Sequence, residues 1–247
     1  MNAKANEYLG SGITAVISQE HGFGTDALLL ACFASPKSVD RICDLGTGCG
    51  IIPLLWCRDK REGLITAVDI QRSACEQVNR AIEINSLQGK LEIINADLRE
   101  LKGVLPLGVF DLVTMNPPYN AANAGMKISS DDAACIARHE VMCSLADVMR
   151  AASSLLRFGG RFCLCHRPER LCDIFCLMRE YSIEPKRLRL VCHRESTAPW
   201  LVLVEGRKGG RHGMKIEPPL IIMDGNDYSN EMKTIYSEYE KQKVLNS

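Results

Sequence analysis

Residues Asp44-Leu45-Gly46-Thr47-Gly48-Cys49-Gly50 join a short apolar run to a helical pattern with nothing between, and few folds can use such a stretch. Its glycines allow a tight turn and close backbone approach to a ligand, where a helix presents unpaired N–H groups. A strand, a glycine turn and a helix in that order belong in a parallel sheet covered by helices. The chain is long enough for one: 247 residues, 46% hydrophobic and 24% charged, make a single globular domain with a substantial core and exclude a disordered or fibrous chain.

The rest of the sequence keeps the same alternation. Strand patterns are expected at Ile42–Leu45, Leu64–Val68, Leu91–Ile94, Phe110–Met115, Gly160–Cys165, Leu188–Val191 and Trp200–Val204. Helical spacing of apolar residues falls at Thr25–Phe33, Ile51–Cys57, Ser73–Asn85, Leu145–Leu156, Glu169–Tyr181 and from Asn230 onward, with Ser73 and Glu76 as a capping pair. The connection from Cys192 to Pro199 is too short for a crossover, so the last two long strands pair antiparallel. The fold class is therefore α/β: a Rossmann-like, seven-stranded, mostly parallel sheet, helices on both faces, and an antiparallel last strand. One domain is expected, with an N-terminal lid and helix over residues 1–40, a catalytic core over 41–205, and a basic loop and tail over 206–247.

The glycine turn selects among ligands. A dinucleotide enzyme wants a third glycine where Ile51 stands, and a phosphate loop wants Lys-Ser/Thr where Ile51-Ile52 stand. Asp44 is a poor neighbour for pyrophosphate but a good one for a cationic amino-acid moiety, directly or through water. Asp69 closes the second strand nineteen residues beyond Gly50, where a carboxylate accepts both hydroxyls of a ribose. Asp97, after the third strand, is placed to accept from an adenine amine. Asp44, Gly46, Gly48, Gly50, Asp69 and Asp97 together describe a site for S-adenosylmethionine.

The fourth strand ends in Asn116-Pro117-Pro118-Tyr119, at the sheet edge where open α/β sheets bind ligands. With the glycine turn, this tetrapeptide resembles the class I S-adenosylmethionine-dependent methyltransferases that modify planar amino groups. The resemblance implies a catalytic role for Asn116, Pro117, Pro118 and Tyr119, with Asn116 also near the cofactor. The Asn116 side-chain carbonyl and the Pro117 carbonyl would each take one amino hydrogen, turning the nitrogen lone pair toward the methyl group, and Tyr119 would stack on the base. No histidine or carboxylate base is needed, because an exocyclic amine attacks before it loses its proton. Two prolines remove two N–H donors and leave carbonyls free.

Outlying segments narrow the resemblance. His21-Gly22-Phe23-Gly24-Thr25-Asp26-Ala27-Leu28-Leu29-Leu30 is similar to a segment of the bacterial tRNA1(Val) adenine-N6 methyltransferases, which act on adenine at anticodon-loop position 37. There it helps cover the cofactor, which makes Phe23 and Asp26 candidate cofactor contacts. Ala137-Arg138-His139-Glu140 and the stretch from Pro218 to Tyr236 match the same family, and Arg138 and His139 would hold phosphate or lie beside the base.

Charge is the remaining signal. Thirty basic residues balance thirty acidic ones, yet from Arg138 to Lys215 fifteen Lys and Arg stand against eight Asp and Glu. Arg207, Lys208, Arg211, His212 and Lys215, set among glycines, are therefore candidate contacts to RNA phosphates. The expected partner is a tRNA, most simply valine tRNA, with no membrane and no metal. Twelve cysteines without a repeated C-x2-C pair fit a reducing cytoplasm better than a disulfide scaffold or a zinc site, and no leader-like segment opens the sequence.

Rival functions share the tetrapeptide. Glutamine-N5 methyltransferases of release factors carry a helical domain before the glycine turn, where this chain has about forty residues. DNA adenine methyltransferases carry a separate recognition domain, and ribosomal guanine-N2 enzymes usually a second, degenerate half. A non-catalytic S-adenosylmethionine-binding subunit is the reading from a different class, and methyl transfer itself separates the two.

Overall fold

The computed structural model describes residues 5–18, 21–58, 63–117 and 143–240, with side chains of the last stretch to 236. An N-terminal hairpin, β1 (Ala5–Gly10) and β2 (Ile13–Ile17), precedes α1 (Thr25–Ala34). Then come β3 (Ile42–Leu45), α2 (Ile51–Cys57), β4 (Ile65–Asp69), α3 (Arg72–Ile84), β5 (Leu91–Asn95) and β6 (Phe110–Met115). The second half holds α4 (Leu145–Leu155), β7 (Leu156–His166), α5 (Leu171–Glu180), β8 (Ile183–Cys192) and β9 (Pro199–Lys208). Four two-residue strands, β10 (Lys215–Ile216), β11 (Leu220–Ile221), β12 (Met223–Asp224) and β13 (Asp227–Tyr228), lead into α6 (Asn230–Glu240).

The sheet runs β10-β8-β9-β7-β6-β3-β4-β5, with β11 also on the outer edge of β8. Strands β3 to β7 are parallel, and β9 lies antiparallel between β7 and β8. This is the mostly parallel α/β sheet read from the sequence, with seven long strands. Its count rises to nine because the tail spares two short segments, β10 and β11, to pair in parallel with β8. They cover an edge whose N–H and C=O groups would otherwise lie open.

Two cores form, one per face. Helices α1, α2 and α3 pack with the hairpin on one side, and α4 and α5 bury Val148, Met149, Ile174 and Met178 on the other. Helix α1 is apolar around most of its circumference, because both the sheet and α2 close over it. A Gly10-Ser11-Gly12 turn closes the hairpin, with φ positive at all three residues. Side chains hold it: Asn85 brackets the Thr14 backbone, accepting from its N–H and donating to its carbonyl at 2.7 Å each, and buried Gln77 donates to the Val16 carbonyl at 2.9 Å.

Some helix boundaries differ from expectation. Helix α3 starts at Arg72 without a side-chain cap. Ser73 therefore sits inside the helix, where its hydroxyl meets His21 Nε2 at 2.9 Å in place of capping. The cap of α4 is Ser144, locked with Asp147 in a reciprocal capping box. Strand β9 runs four residues further than expected, to Lys208, and so absorbs the start of the expected basic loop.

Gly50 opens α2 with φ +76°, and a Cβ there would lie 2.9 Å from Val78 Cγ2 on α3. Gly89 has almost the same φ, +78°, with nothing within 4 Å. Gly89→Ala should cost about 1 kcal/mol from backbone strain alone. Gly50→Ala should cost about 2–4 kcal/mol, because overpacking adds to that strain. Urea unfolding of the two variants measures the difference; equal losses would mean that α3 yields freely.

Candidate functional site

The carboxyl ends of β3, β4, β5, β6 and β7 converge on one rim of the sheet. The glycine turn leaves β3 there, and Gly46, Gly48 and Gly50 all adopt positive φ. A Cβ added at Gly48 would meet nothing within 4 Å, so the turn faces open space.

Asp44 stands behind the turn and is closed off from solvent, 1% exposed. It accepts from Thr47 Oγ1 at 2.7 Å and from Thr114 Oγ1 at 2.6 Å, tying the turn to β6. Burial pushes its carboxyl up to about 7, even though both hydroxyl bonds pull the other way and Asp69 adds a smaller push upward. With one hydroxyl on each oxygen and the carboxyl closed off from solvent, its geometry suits anchoring the turn.

Asp69 ends β4, also buried. Its carboxylate accepts from the Gly48 N–H and the Gln71 N–H, both at 2.8 Å. Asn95, at the end of β5, donates to the backbone carbonyls of Asp69 at 2.9 Å and Ile70 at 3.0 Å, which fixes the strand end. Asp97 caps the short turn Leu98–Glu100 and is half-buried, engaged by the backbone N–H of Arg99 at 2.9 Å and by its guanidinium at 2.5 Å. Those bonds, the side-chain one foremost, hold its carboxyl below the usual range.

Asn116 follows β6 directly, and buried Pro117 follows it. Asn116 Nδ2 donates to Asp26 Oδ2 at 3.1 Å, across ninety residues of sequence, and its Oδ1 accepts from Cys165 Sγ at 3.0 Å. Phe23, just before α1, is partly buried and packs against the core. His21 is held by Ser73 and by the Ser18 hydroxyl, which accepts from its N–H at 3.1 Å, so it fixes the approach to α1. Pro118, Tyr119, Arg138 and His139 lie outside the described residues.

The basic residues are placed elsewhere. Arg207 pairs with Arg161 across β7 and β9, four residues before Cys165 on β7. That separates it from the Asn116 rim by roughly 13 Å of strand, toward the opposite edge of the sheet. Lys208 is committed: its ammonium donates to the carbonyls of Ser153 at 2.6 Å and Leu156 at 2.9 Å, closing the end of α4. It thus serves as a structural cap. Arg211 is exposed on the same far edge, in the loop that His212 ties to Glu184 at 3.3 Å.

Thr47, Thr114, Asn95 and Cys165 belong to the site and were not singled out from the sequence. Thr114 acquires its place from the register Asp44↔Thr114 between β3 and β6, which a single sequence does not display. Among the described residues no group of His, Cys, Asp and Glu could hold a metal ion, and no helix is long and apolar enough to cross a membrane.

The methyltransferase small domain family matches residues 14–134. Over those residues, 121 of the 247, the chain is similar to that family. A tRNA1(Val) (adenine(37)-N6)-methyltransferase of Parabacteroides distasonis is 29% identical over 182 residues, covering 74% of this chain and 75% of the relative. One of Histophilus somni is 29% identical over 230 residues, covering 87% and 89%. A solved structure described as a predicted O-methyltransferase from Agrobacterium tumefaciens superposes with a TM-score of 0.67 at 21% identity, over 87% of this chain and 96% of that one, which establishes the common fold.

Asp44 gives a pH signature. The folded state holds its proton up to about pH 7, whereas the unfolded carboxyl releases it near 3.8. Between those values the folded state binds more protons, so this group's contribution makes stability fall as pH rises from about 4 to about 7 and level above. Asp44→Asn, which mimics the protonated form, should flatten that fall in urea titrations at pH 5 and pH 8. An unchanged difference between the two pH values would show that Asp44 is ionised throughout.

Proposed function

We propose that this protein is a cytoplasmic S-adenosylmethionine-dependent methyltransferase acting on N6 of adenine 37 in the anticodon loop of valine tRNA. The observation that carries the reading is Asn116-Pro117 at the end of β6, beside a glycine turn that faces open space. The names of the relatives support the RNA substrate. The chain's donor set fits the cofactor: glycines without side chains over the turn, a strand-end carboxylate at Asp69 and a second at Asp97 one strand further out.

S-adenosylmethionine, when bound, supplies an electrophilic methyl group on a sulfonium. In the proposed arrangement Asp69 accepts from the ribose hydroxyls while keeping the Gly48 and Gln71 N–H groups, since each oxygen has a second lone pair. Asp97 accepts from the adenine amine, and Asp44 holds the turn through Thr47. Asn116 Oδ1 and the Pro117 carbonyl accept from the two hydrogens of the target amine. That orients its lone pair for in-line displacement, in which the N–C bond forms as the S–C bond breaks and the amine then releases one proton to water. Tyr119 stacks on the base, Phe23 covers the cofactor, and Arg138 and His139 meet the RNA. The exposed Arg207 and Arg211, on the far edge, can reach only an RNA arm extending well beyond the target base.

The deciding experiment is transfer of labelled methyl from S-adenosylmethionine to total tRNA of a strain lacking this protein, with nucleoside mass spectrometry. N6-methyladenine at position 37 of a valine tRNA is the expected product. Label in ribosomal RNA or in a protein glutamine would discard the tRNA and keep the Asn116 chemistry. Cofactor binding without any transfer would leave a binding subunit. Asn116→Ala should slow transfer by about a hundredfold or more with cofactor affinity nearly intact. Asp69→Ala should instead weaken S-adenosylhomocysteine binding in calorimetry; unaltered affinity would remove Asp69 from the ribose.

A further inference from the structure

An asparagine amide is nearly symmetric in shape and opposite in chemistry at its two ends. A half-turn about its last bond exchanges an acceptor for two donors and inverts what it offers a substrate. A site that relies on the oxygen of Asn116 therefore needs something to forbid that half-turn. Asp26 Oδ2 lies 3.1 Å from Asn116 Nδ2, and a carboxylate can only accept, so the nitrogen must face it. On the other side Cys165 Sγ lies 3.0 Å from Oδ1. Cys165 is fully buried, and burial holds its thiol well above the ordinary range, so it stays a donor. Its S–H takes one lone pair of Oδ1 and leaves the second for an amine.

Asp26 is itself held in place by the whole of α1. It occupies the first turn of the helix, where negative charge is favoured. Two residues before it, at the N-cap position, stands Gly24, where a Cβ would fall 2.6 Å from Asp26 Oδ1, so the absent side chain makes room for this carboxylate. At the other end of α1, Arg161 donates to the Ala34 carbonyl at 2.8 Å and Arg187 to the Phe33 carbonyl, and both guanidinium groups share Glu205, at 3.2 and 3.1 Å. The helix is clamped at its carbonyl end and presents Asp26 at its amino end.

We propose that Asp26 is a positioning residue, which sets the orientation of the Asn116 amide and so keeps its oxygen toward the substrate amine, with Cys165 as the opposing stop. The proposal rests on the assignment of Asn116 above, and gives Asp26 a different part from covering the cofactor. Its chemistry is separable from binding: a mis-turned amide presents donors to an amine that also donates, which costs rate and not cofactor affinity.

The test uses the full-length protein, S-adenosylmethionine and unmodified total tRNA. Asp26→Asn, isosteric but able to donate, should lower kcat by about a hundredfold while KM for tRNA and Kd for S-adenosylhomocysteine stay within about twofold. Gly24→Ala keeps the charge but displaces the carboxylate and should lower kcat by about tenfold, with the thermal midpoint close to that of the natural protein. The side-chain NH2 signals of Asn116 in a nitrogen-15 spectrum should be protected from exchange in the natural protein and lose that protection in Asp26→Asn, a readout independent of turnover. Unchanged kcat in a folded Asp26→Asn, or lost cofactor affinity at full kcat, or unchanged NH2 protection, would overturn the proposal. Failure of the natural protein to methylate any RNA, with the NH2 signals behaving as expected, would overturn the substrate and leave the amide lock standing.

Discussion

A single buried carboxylate holds the rim of the candidate site together. Asp44 draws Thr47 in from the glycine turn and Thr114 across from β6, at 2.7 and 2.6 Å, and without those bonds the turn and the strand that ends at Asn116 would share only backbone pairing. The rest of the site hangs from this joint. Thr47 N–H reaches the Val68 carbonyl and Gly48 N–H reaches Asp69, so β4 is drawn to the same turn. An acid buried this way is expensive to ionise, and the surrounding hydroxyls offset only part of that cost. The energetic strain is thus concentrated where the backbone must be held open for a ligand, a pattern common at functional sites.

Much of this was legible in the residues themselves. Apolar runs of strand length separated by amphipathic segments disclose a parallel sheet, and the glycine turn fixes which strand leads it. What sequence could not supply is anything that depends on register or on long-range company. Thr114 reads as an ordinary strand residue until β3 is laid beside β6. Cys165 reads as core, because a buried thiol is usually only a small hydrophobe, and it meets Asn116 only when β7 is placed next to β6. Ser73 carries a capping signature that tertiary contact with His21 overrides. The hairpin carried its turn signal at Gly10-Ser11-Gly12, but its strands are short and are held by helix side chains, so periodicity alone was a weak guide. Lys208 looked like surface charge because one sequence does not reveal that two helix-end carbonyls lie within its reach.

The two ends of α1 do different work. At its carbonyl end a partly buried pair of arginines sharing one glutamate sets position, and the Arg187 guanidinium also lies 4.0 Å from the centre of the Phe33 ring. At its amino end Asp26 meets the residue on which the proposed chemistry depends. The apolar body between them transmits placement because it is packed on nearly all sides and has no room to roll.

The antiparallel insertion of β9 has a consequence in time as well as in space. Strand β7 pairs with β6 on one side, but its other edge is completed only by a segment that the ribosome makes more than thirty residues later, and β8 has no place in the sheet until that segment arrives. A nascent chain that has emerged as far as Cys192 therefore carries an open, apolar edge at Phe162–Cys165, the kind of edge that recruits other strands. Slow synthesis across the loop before Pro199 would lengthen that exposure, so the yield of intact protein in a cell is tied to how quickly one hairpin is delivered.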